Sequence, residues 1–325
     1  MKKQELTVLI TGGTGFAGSH LVDALKADGF TDIHVTAYGN NTSYVHQILP
    51  ADNIHQLDLT DKEKTFKLLA DLKPDHIYHL AATAAVGSSY DKVKQTINNN
   101  FDLQLNLLEG VKNCCPEARV LVIGSALEYQ PQNRPLKETE PLGPVNPYGV
   151  SKVLQDTLAY SYARSFDLQI IRCRPFNHIG ERQSLGFAIP DFAHQIAKIE
   201  QQPKDKQIGV MTVGNLEAIR DFTDVKDMVK AYILLMQQGQ VNQVYNIGSG
   251  TGYRLKDLVA KLVELSSAQI EVEVNPDKFR PLDVPQVIAN NDKIKQLGWS
   301  PQISIDQTLE RVLNYYRKQT QEGNI

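Results

Sequence analysis

The sequence predicts an α/β fold in which a doubly wound parallel sheet is joined to a smaller α/β domain interwoven with it. Short apolar segments alternate with helical patterns from residue 6 to about residue 175, as repeated strand–helix units do. A glycine-rich turn follows the first apolar segment and leads directly into a helical pattern. Beyond Arg174, prolines and polar turns separate the elements, which indicates a second domain woven through the second half of the chain.

The composition is that of a globular protein without a charge excess or a long apolar span. The 325 residues carry a net charge of −3, which gives no indication of binding to nucleic acid or to a membrane surface. No apolar run reaches the ~18 residues of a transmembrane helix, and the first one ends at Thr11-Gly12, unlike a signal peptide. The three cysteines have neither metal-binding nor disulfide spacing. We therefore expect a cytoplasmic protein without a metal.

The first strand, predicted over residues 6–10, is followed by glycines in the spacing GxxGxxG. Glycines at these places permit a tight turn, a close backbone approach to a pyrophosphate and close packing of the helix on the sheet. The N-terminus of the following helix offers N–H groups and a favourable dipole to phosphates. We therefore predict a Rossmann-type, NAD(P)-binding domain whose cofactor contacts include Gly12, Thr14, Gly15, Phe16, Ala17 and Gly18.

The end of the second strand, predicted over residues 33–38, bears on the choice between NAD and NADP. An acidic residue there would bind the ribose 2′-hydroxyl, and a basic residue would bind a 2′-phosphate. The segment from Ala37 to Ser43 contains neither. Because no acid repels a phosphate, NADP(H) is weakly favoured, and NAD(H) is the alternative.

Further strands are predicted over residues 54–59, 76–80, 119–124, 168–173 and 243–247. Ligands of such sheets bind beyond the carboxyl ends of the strands. We therefore predict a site residue at Ser125 and cofactor contacts at Asp58, Leu59, Leu80, Ala81, Ala82 and Arg174. Asp58 matches an acid that contacts adenine, although it, Thr60 or Asp61 could instead cap the next helix. The predicted Rossmann domain comprises residues 1–175 and about 221–252, and the substrate domain comprises about 176–220 and 253–325.

A helix predicted to begin at Pro147 carries Tyr148 and Lys152 on one face, because residues four apart on a helix are neighbours. An ammonium beside a phenol favours the phenolate and lowers the tyrosine pKa from its usual value near ~10. Such tuning makes the phenol a general acid or base, and both residues are also expected to contact the cofactor. The spacing YxxxK is common by chance, so an incidental pair on a surface helix is the alternative.

The glycine turn, Ser125, Tyr148 and Lys152 stand together in the order typical of extended short-chain dehydrogenases/reductases, and the sequence resembles that family over essentially its whole length. Extended members modify nucleotide sugars. The resemblance implies that Ser125 orients the substrate oxygen and that Lys152 also holds the nicotinamide ribose. It further implies that Asn100, in a helix predicted from about Val93 to Lys112, takes part in a water relay. A homodimer formed through that helix and the Tyr–Lys helix is also implied.

Three segments of the second half resemble family members that act on GDP-linked 6-deoxysugars: RPFNHIG (174–180), GNLEAIRDF (214–222) and RPLDVP (280–285). The resemblance implies a GDP-linked 6-deoxyhexose as substrate. The implied substrate contacts, including phosphate clamps from arginine forks, are Asn177, His178, Asn215, Leu216, Arg220 and Arg280. As alternatives, Arg220 pairs with Asp221 or Asp224, and His178 only packs at the domain junction.

Family members of this kind catalyse one of two reactions, and the sequence has to be compared with both. Dehydration of GDP-mannose oxidises C4, removes the C5 proton and expels water, and its pattern after the strand is Thr-Ser-Glu-Leu-Tyr-Gly. Residues 125–130 here are Ser-Ala-Leu-Glu-Tyr-Gln, which puts Leu127 at the place of the glutamate base. Glu128 is one position away and, in an extended segment, would face away from the site. Reduction of a C4 ketone needs only the cofactor, Ser125, Tyr148 and Lys152.

We therefore expect NAD(P)H-dependent reduction of GDP-4-dehydro-6-deoxy-D-mannose to GDP-D-rhamnose. The alternatives within the family are GDP-mannose 4,6-dehydration and the epimerisation or dehydration of another nucleotide sugar. A regulatory protein that senses the dinucleotide is an alternative of another class. A protein of that class is expected to have lost the tyrosine or the lysine of the pair, whereas Tyr148 and Lys152 are both present.

Overall fold

The computed structural model describes residues 2–39, 44–84, 86–202, 208–279, 282, 284–323 and 325. The strands are β1 (Thr7–Thr11), β2 (Asp32–Ala37), β3 (Ile54–Gln56), β4 (His76–His79), β5 (Arg119–Ile123), β6 (Ile170–Pro175), β7 (Asn177–Ile179), β8 (Gly209–Val213), β9 (Ile219–Asp224), β10 (Val244–Ile247), β11 (Gly252–Arg254), β12 (Ile270–Val274) and β13 (Gln286–Val287). Seven of them form one parallel sheet in the order β10-β6-β5-β4-β1-β2-β3. The predicted parallel sheet is therefore confirmed.

The helices of the described residues lie around this sheet and in a second group of elements. They are α1 (Phe16–Ala27), α2 (Val45–Ile48), α3 (Lys62–Leu72), α4 (Val86–Ser89), α5 (Val93–Cys114), α6 (Pro147–Ser165), α7 (Ala188–Glu200), α8 (Val225–Gln238), α9 (Leu255–Glu264), α10 (Asp292–Lys295) and α11 (Ile305–Gln321). None of these described helices is long and apolar enough to cross a membrane.

Helices cover both faces of the large sheet. One apolar cluster joins Val8 and Ile10 of β1 to side chains of α1 and α8, and another joins Leu9 to side chains of α3, α5 and α6. Successive residues of the strand thus point to opposite faces, and all three are fully buried. Burial on both faces explains why such strands appear in the sequence as continuous apolar runs.

A second group of elements begins after β6. Strands β7, β11 and β13 pair with β9, β8 pairs with β12, and a separate apolar cluster joins α7, α9 and α11. The chain then returns to the large sheet, where α8 packs against α1 and β10 pairs with β6. The interwoven arrangement is therefore observed, whereas the domain boundaries near residues 176, 221 and 253 stay predictions.

The strand predicted over residues 54–59 is shorter than expected and ends at Gln56. The chain turns at Asp58, whose Oδ1 accepts hydrogen bonds from the Thr60 N–H at 2.9 Å and the Thr60 hydroxyl at 2.8 Å. The cap of α3 is Asp61, which accepts a hydrogen bond from Lys64 N at 3.1 Å. Asp58 is therefore not the helix cap, and its carboxylate lies beyond the end of β3.

Gly12 and Gly18 are two positions of the turn between β1 and α1 at which a side chain would meet backbone atoms. A Cβ on Gly18 would lie 2.3 Å from Gly12 O and 2.7 Å from Gly13 Cα, and neither backbone atom can rotate away. Gly12 has a φ of +69°, and a Cβ there would lie 3.0 Å from Ala81 Cα. This close packing brings the N-terminus of α1 to the carboxyl edge of the sheet.

We expect Gly18→Ala to lower the free energy of unfolding by about 1–3 kcal/mol, because the backbone of the turn must shift to admit the methyl group. Gly15→Ala is the matched control, since a Cβ there would meet only Gly12 O, at 3.2 Å. Urea denaturation of both variants without cofactor measures the difference. Wild-type stability of Gly18→Ala would contradict the close packing of this turn.

Candidate active site

A cleft of about 1420 Å³ lies at the carboxyl edge of the large sheet and reaches the second group of elements. Its walls include the turn after β1 and the residues that follow β3, β4 and β5, as expected for a doubly wound sheet. The predicted site residues found in the lining are Gly12, Thr14, Gly15, Phe16, Ala17, Gly18, Asp58, Leu59, Leu80, Ala81, Ala82, Ser125, Tyr148, Lys152, Asn177, His178, Asn215 and Arg220.

The glycine turn has the features that a dinucleotide needs. Helix α1 begins at Phe16, and the amide groups of a first helical turn have no acceptor within the helix. Those groups and the helix dipole suit a pyrophosphate, and the missing Cβ atoms of Gly12 and Gly18 keep the backbone accessible and close-packed. The residues present therefore fit a nicotinamide dinucleotide. Residues 40–43, where part of the choice between NAD and NADP was predicted to lie, are outside the described residues.

Tyr148 and Lys152 share one face of α6, as their spacing predicts. Asn146 caps this helix by accepting a hydrogen bond from Gly149 N at 2.8 Å, and Pro147 occupies the first helical position. Lys152 Nζ lies 5.9 Å from the centroid of the Tyr148 ring. The start of the helix therefore presents both side chains to the cleft together.

Two acceptors hold the Lys152 ammonium. Its Nζ donates to Ile123 O and to Gln155 Oε1, each at 2.8 Å. Burial lowers the pKa of Lys152 to about 8, and the Glu128 carboxylate opposes that change. Gln155 Nε2 in turn donates to the backbone carbonyl of Asn100 at 2.7 Å. The ammonium is thus connected to α5 through one glutamine side chain.

The pKa of Tyr148 differs from the prediction. Burial and, after it, the Glu128 carboxylate raise this pKa above its usual value, while the Ser125 side chain acts in the opposite direction. The expected lowering of this pKa is wrong for this structure, because burial disfavours the charged phenolate. The phenol is therefore protonated at neutral pH, which is the state that can donate a proton.

Ser125 follows β5 and caps a short 3-10 turn over Ala126–Glu128. Its Oγ accepts a hydrogen bond from Leu127 N at 3.1 Å, and its own N–H donates to Glu128 Oε1 at 2.6 Å. These reciprocal bonds form a capping box. The hydroxyl oxygen is held by an N–H from the turn, so its hydrogen can be directed toward the cleft.

The two residues considered for a catalytic base lie on different sides of this turn. Leu127 lines the cleft, whereas Glu128 is fully buried and accepts a hydrogen bond from Arg174 Nε at 2.7 Å. Glu128 therefore faces away from the site, as predicted. The physical reason is different, because the segment is a 3-10 turn and not an extended strand. The bonds to Ser125 and Arg174 direct the carboxylate inward.

Arg174 and Leu216 are corrections to the predicted contacts. The Arg174 guanidinium donates to the buried carboxylates of Glu128 and Asp156, and the residue is only 4% exposed. It is therefore committed to ion pairs beneath the site and not to the cofactor. Leu216 packs against the apolar cluster of α7, α9 and α11 and does not line the cleft. Arg280 lies outside the described residues.

Asn100 is fully buried behind the cleft surface. Its Oδ1 accepts a hydrogen bond from Thr83 N at 2.7 Å, and its Nδ2 donates to Ser151 Oγ at 2.9 Å. The side chain therefore joins α5 to α6 and to the segment after β4. Its backbone carbonyl reaches Lys152 only through Gln155. A place for Asn100 in a water relay stays a prediction.

The predicted substrate residues extend the cleft away from the sheet. The His178 ring stacks on Phe16 with the ring centroids 5.7 Å apart and the planes at 8°. Burial lowers the pKa of His178, which therefore packs as a neutral ring beside the glycine turn. This contact agrees with the alternative of packing at the junction, although the residue also lines the cleft.

Arg220 lies on β9 and lines the cleft. Both carboxylates considered as its alternative partners also accept hydrogen bonds from other groups. Asp221 accepts a hydrogen bond from Ser249 N at 2.8 Å, and Asp224 pairs with Arg311. Arg220 Nη1 donates to Ile219 O at 2.9 Å, and a contact of Arg220 with the substrate stays a prediction.

Sequence reasoning missed two residues that support the site. Gln155 follows Lys152 by three positions, and that spacing places both on one helix face, so the signal was available. Glu128 was considered only as a displaced base. Its partner Arg174 is 46 residues away in the chain, and no local pattern connects the two.

Comparisons with known proteins support this description. A family model described as GDP-mannose 4,6 dehydratase matches residues 9–312. The chain is 29% identical to GDP-6-deoxy-D-mannose reductase from Pseudomonas aeruginosa, over 97% of this chain and 98% of that protein. It is 27% identical to GDP-mannose 4,6-dehydratase from Vibrio cholerae, over 94% of this chain and 92% of that protein.

Solved structures show the same fold. The structure of RMD from Pseudomonas aeruginosa complexed with NADPH has a TM-score of 0.81 and 28% identity, covering 96% of this chain and 99% of that one. UDP-glucose 4-epimerase from Thermus thermophilus in complex with NAD has a TM-score of 0.83 and 25% identity, with coverages of 96% and 99%. Because the family model spans most of its length, the chain belongs to the GDP-mannose 4,6-dehydratase family.

Proposed function

We propose that this protein is an NAD(P)H-dependent reductase that converts GDP-4-dehydro-6-deoxy-D-mannose to GDP-D-rhamnose. The proposal rests on the identity of the residue that stands where the dehydratase pattern has its catalytic base. Leu127 lines the cleft there, and the neighbouring carboxylate of Glu128 is buried. Ser125, Tyr148 and Lys152, which ketone reduction requires, line the same cleft.

Reduction of the ketone adds a hydride to C4 and a proton to the oxygen. A nicotinamide bound in the cleft supplies the hydride. Tyr148, which is protonated at neutral pH, donates its proton to the oxygen, and the Ser125 hydroxyl donates a hydrogen bond to the charge that develops there. The Lys152 ammonium lies 5.9 Å from the Tyr148 ring centroid, where it is positioned to hold the nicotinamide ribose beside the phenol.

Dehydration of GDP-mannose would require a further base for the C5 proton. A leucine side chain has no atom that accepts a proton. Glu128 is engaged on both oxygens, by Ser125 N–H at 2.6 Å and Arg174 Nε at 2.7 Å. The pocket therefore contains the groups for hydride and proton transfer at C4 without a base at the place that the dehydratase pattern uses.

A nicotinamide cofactor is supported by the glycine turn and by relatives whose structures contain NADPH or NAD. We propose a weak preference for NADP(H), because residues 37–39, the last residue of β2 and the two that follow it, include no acid that would repel a 2′-phosphate. A GDP-linked 6-deoxyhexose as substrate is supported by the names of the relatives and by Asn177, Asn215 and Arg220 in the lining.

We also propose a homodimer formed through α5 and α6. These two helices pack against each other, and α6 exposes apolar side chains. Val150 and Leu154 are 36% and 38% exposed, and their spacing of four places them on one face of the helix. Such a face suits an apolar contact with a second copy of the chain.

Turnover of GDP-4-dehydro-6-deoxy-D-mannose with NADPH or NADH, with the product identified by NMR, tests the proposed reaction. We expect Tyr148→Phe to lower kcat by about 10²–10⁴-fold with little change in cofactor affinity, because only the transferable proton is lost. Tyr160→Phe is the matched control, since this exposed tyrosine lies on the same helix. An unchanged kcat for Tyr148→Phe would end its assignment as the proton donor.

We expect Arg220→Ala to raise KM for the GDP-sugar by about tenfold and to change kcat much less, because a group remote from C4 stabilises ground state and transition state alike. Arg254→Ala is the matched control, since Arg254 lies on the adjacent strand and pairs with Glu217 outside the cleft. Steady-state kinetics give both constants. A KM equal to that of the wild type would remove Arg220 from the substrate site.

The absence of a base at Leu127 predicts that GDP-mannose and NADP⁺ yield the 4-keto-6-deoxy sugar only at background rates. A general base typically contributes ~10²–10⁴-fold to such a proton transfer. Mass spectrometry for loss of water measures the reaction. Leu127→Glu is compared with Leu127→Gln, which has the same shape without the base. Rapid water loss by the wild type would show that the protein is the dehydratase.

A further inference from the structure

The Glu128 side chain lies directly beneath Ser125, in a space that the surrounding residues leave for it. Its carboxylate is fully buried, with Oε1 accepting a hydrogen bond from Ser125 N at 2.6 Å and Oε2 accepting from Arg174 Nε at 2.7 Å. A Cβ on Gly124 would lie 2.3 Å from Oε1, so the glycine leaves the room that the carboxylate fills. The end of β5 is thus shaped around this one side chain.

The same turn determines where the Ser125 hydroxyl lies. Its Oγ accepts a hydrogen bond from Leu127 N at 3.1 Å, which is the second half of the capping box. Glu128 holds the backbone of Ser125 from one side, and Leu127 N–H holds the hydroxyl oxygen from the other. A serine that is bound at both its amide and its hydroxyl oxygen keeps one rotamer, and its hydroxyl hydrogen is available to an acceptor in the cleft.

We propose that Glu128 is a positioning residue, which orients the Ser125 hydroxyl toward the substrate ketone by binding the Ser125 amide and the Arg174 guanidinium at once. The inference rests on the ketone reduction proposed above. It assigns the buried carboxylate a role in the reaction without contact with substrate or cofactor. Both oxygens are required, because each accepts a hydrogen bond from a different donor.

An amide in place of the carboxylate cannot satisfy both donors, since it has only one acceptor oxygen. The charged guanidinium is the stronger donor, so the oxygen of the introduced glutamine should turn to Arg174. Its NH₂ group would then face the Ser125 N–H. Glu128→Gln should therefore release Ser125 while the size of the buried side chain stays nearly the same.

The test is a double-mutant cycle with Ser125→Ala. We expect Ser125→Ala to lower kcat by about 10²-fold, as loss of a hydrogen-bond donor to a developing oxyanion does. Glu128→Gln should lower kcat by about tenfold with KM for the sugar nearly unchanged, a partial loss of the same effect. In the Ser125→Ala background it should lower kcat no further, because it acts through the missing hydroxyl. An equal loss in both backgrounds would overturn the proposal.

A second measurement does not depend on the activity. Amide hydrogen exchange at Ser125 should be about tenfold faster in Glu128→Gln than in the wild type, because a buried hydrogen bond is lost. Unchanged exchange would overturn the proposal even with an altered kcat. If the wild type does not reduce the ketone, the proposed function fails, and the exchange at Ser125 alone decides whether Glu128 holds this residue.

Asp227→Asn is the matched control. Asp227 is also buried and accepts hydrogen bonds from two backbone amides, Gln302 N at 2.7 Å and Ile303 N at 2.8 Å, but it is outside the cleft lining. We expect lower stability with an unchanged kcat. If Glu128→Gln does not fold, Glu128→Asp enters the same cycle, since it keeps the charge and withdraws the carboxylate by one methylene. A wild-type kcat and exchange rate in that variant would also overturn the proposal.

Discussion

The ion pairs buried beneath the cleft are the interaction on which the arrangement of the site depends. Arg174 donates to Glu128 at 2.7 Å and to Asp156 at 2.9 Å, and Arg172 donates to the same Asp156 oxygen at 2.9 Å. These ion pairs join β6 to the turn that carries Ser125 and to the helix that carries Tyr148 and Lys152. Removing Arg174 would leave the Glu128 carboxylate unpaired in the interior at a cost of ~3–5 kcal/mol. Turn and helix are therefore held in one relative position.

Much of this arrangement could be predicted because it is local in sequence. The strands are continuous apolar runs, and Tyr148 and Lys152 are four residues apart on one helix. The rest depends on tertiary contacts. The place of Arg174 at the end of a predicted strand indicates a cofactor contact, but its partner is Glu128, 46 residues earlier, which no local pattern shows. Leu216 lies in a segment that resembles a substrate site, but it packs in the second core. The pKa of Tyr148 was misjudged because it depends on burial and on Glu128, not on its neighbour Lys152.

Family membership and fold do not distinguish between the reactions considered for this chain. Structures of RMD and of a UDP-glucose 4-epimerase resemble it with TM-scores of 0.81 and 0.83, and relatives named as reductase and dehydratase are 29% and 27% identical. The sheet and glycine turn provide a common frame, and the chemistry depends on a few side chains at its edge. In this chain the distinction rests on the turn at Ala126–Glu128, where an apolar residue faces the cleft and the carboxylate does not.

The capping box at Ser125 also constrains how such an enzyme could evolve. A glutamate introduced at Leu127 would face the cleft, on the opposite side of the turn from the buried Glu128 carboxylate. Replacing Glu128 would remove one of the two carboxylates that pair with the buried Arg174 guanidinium. The first change alters the cleft surface and leaves the buried ion pairs in place, whereas the second removes the bond that holds the Ser125 amide. The two sides of this short turn therefore evolve under different constraints, although the residues are adjacent in sequence.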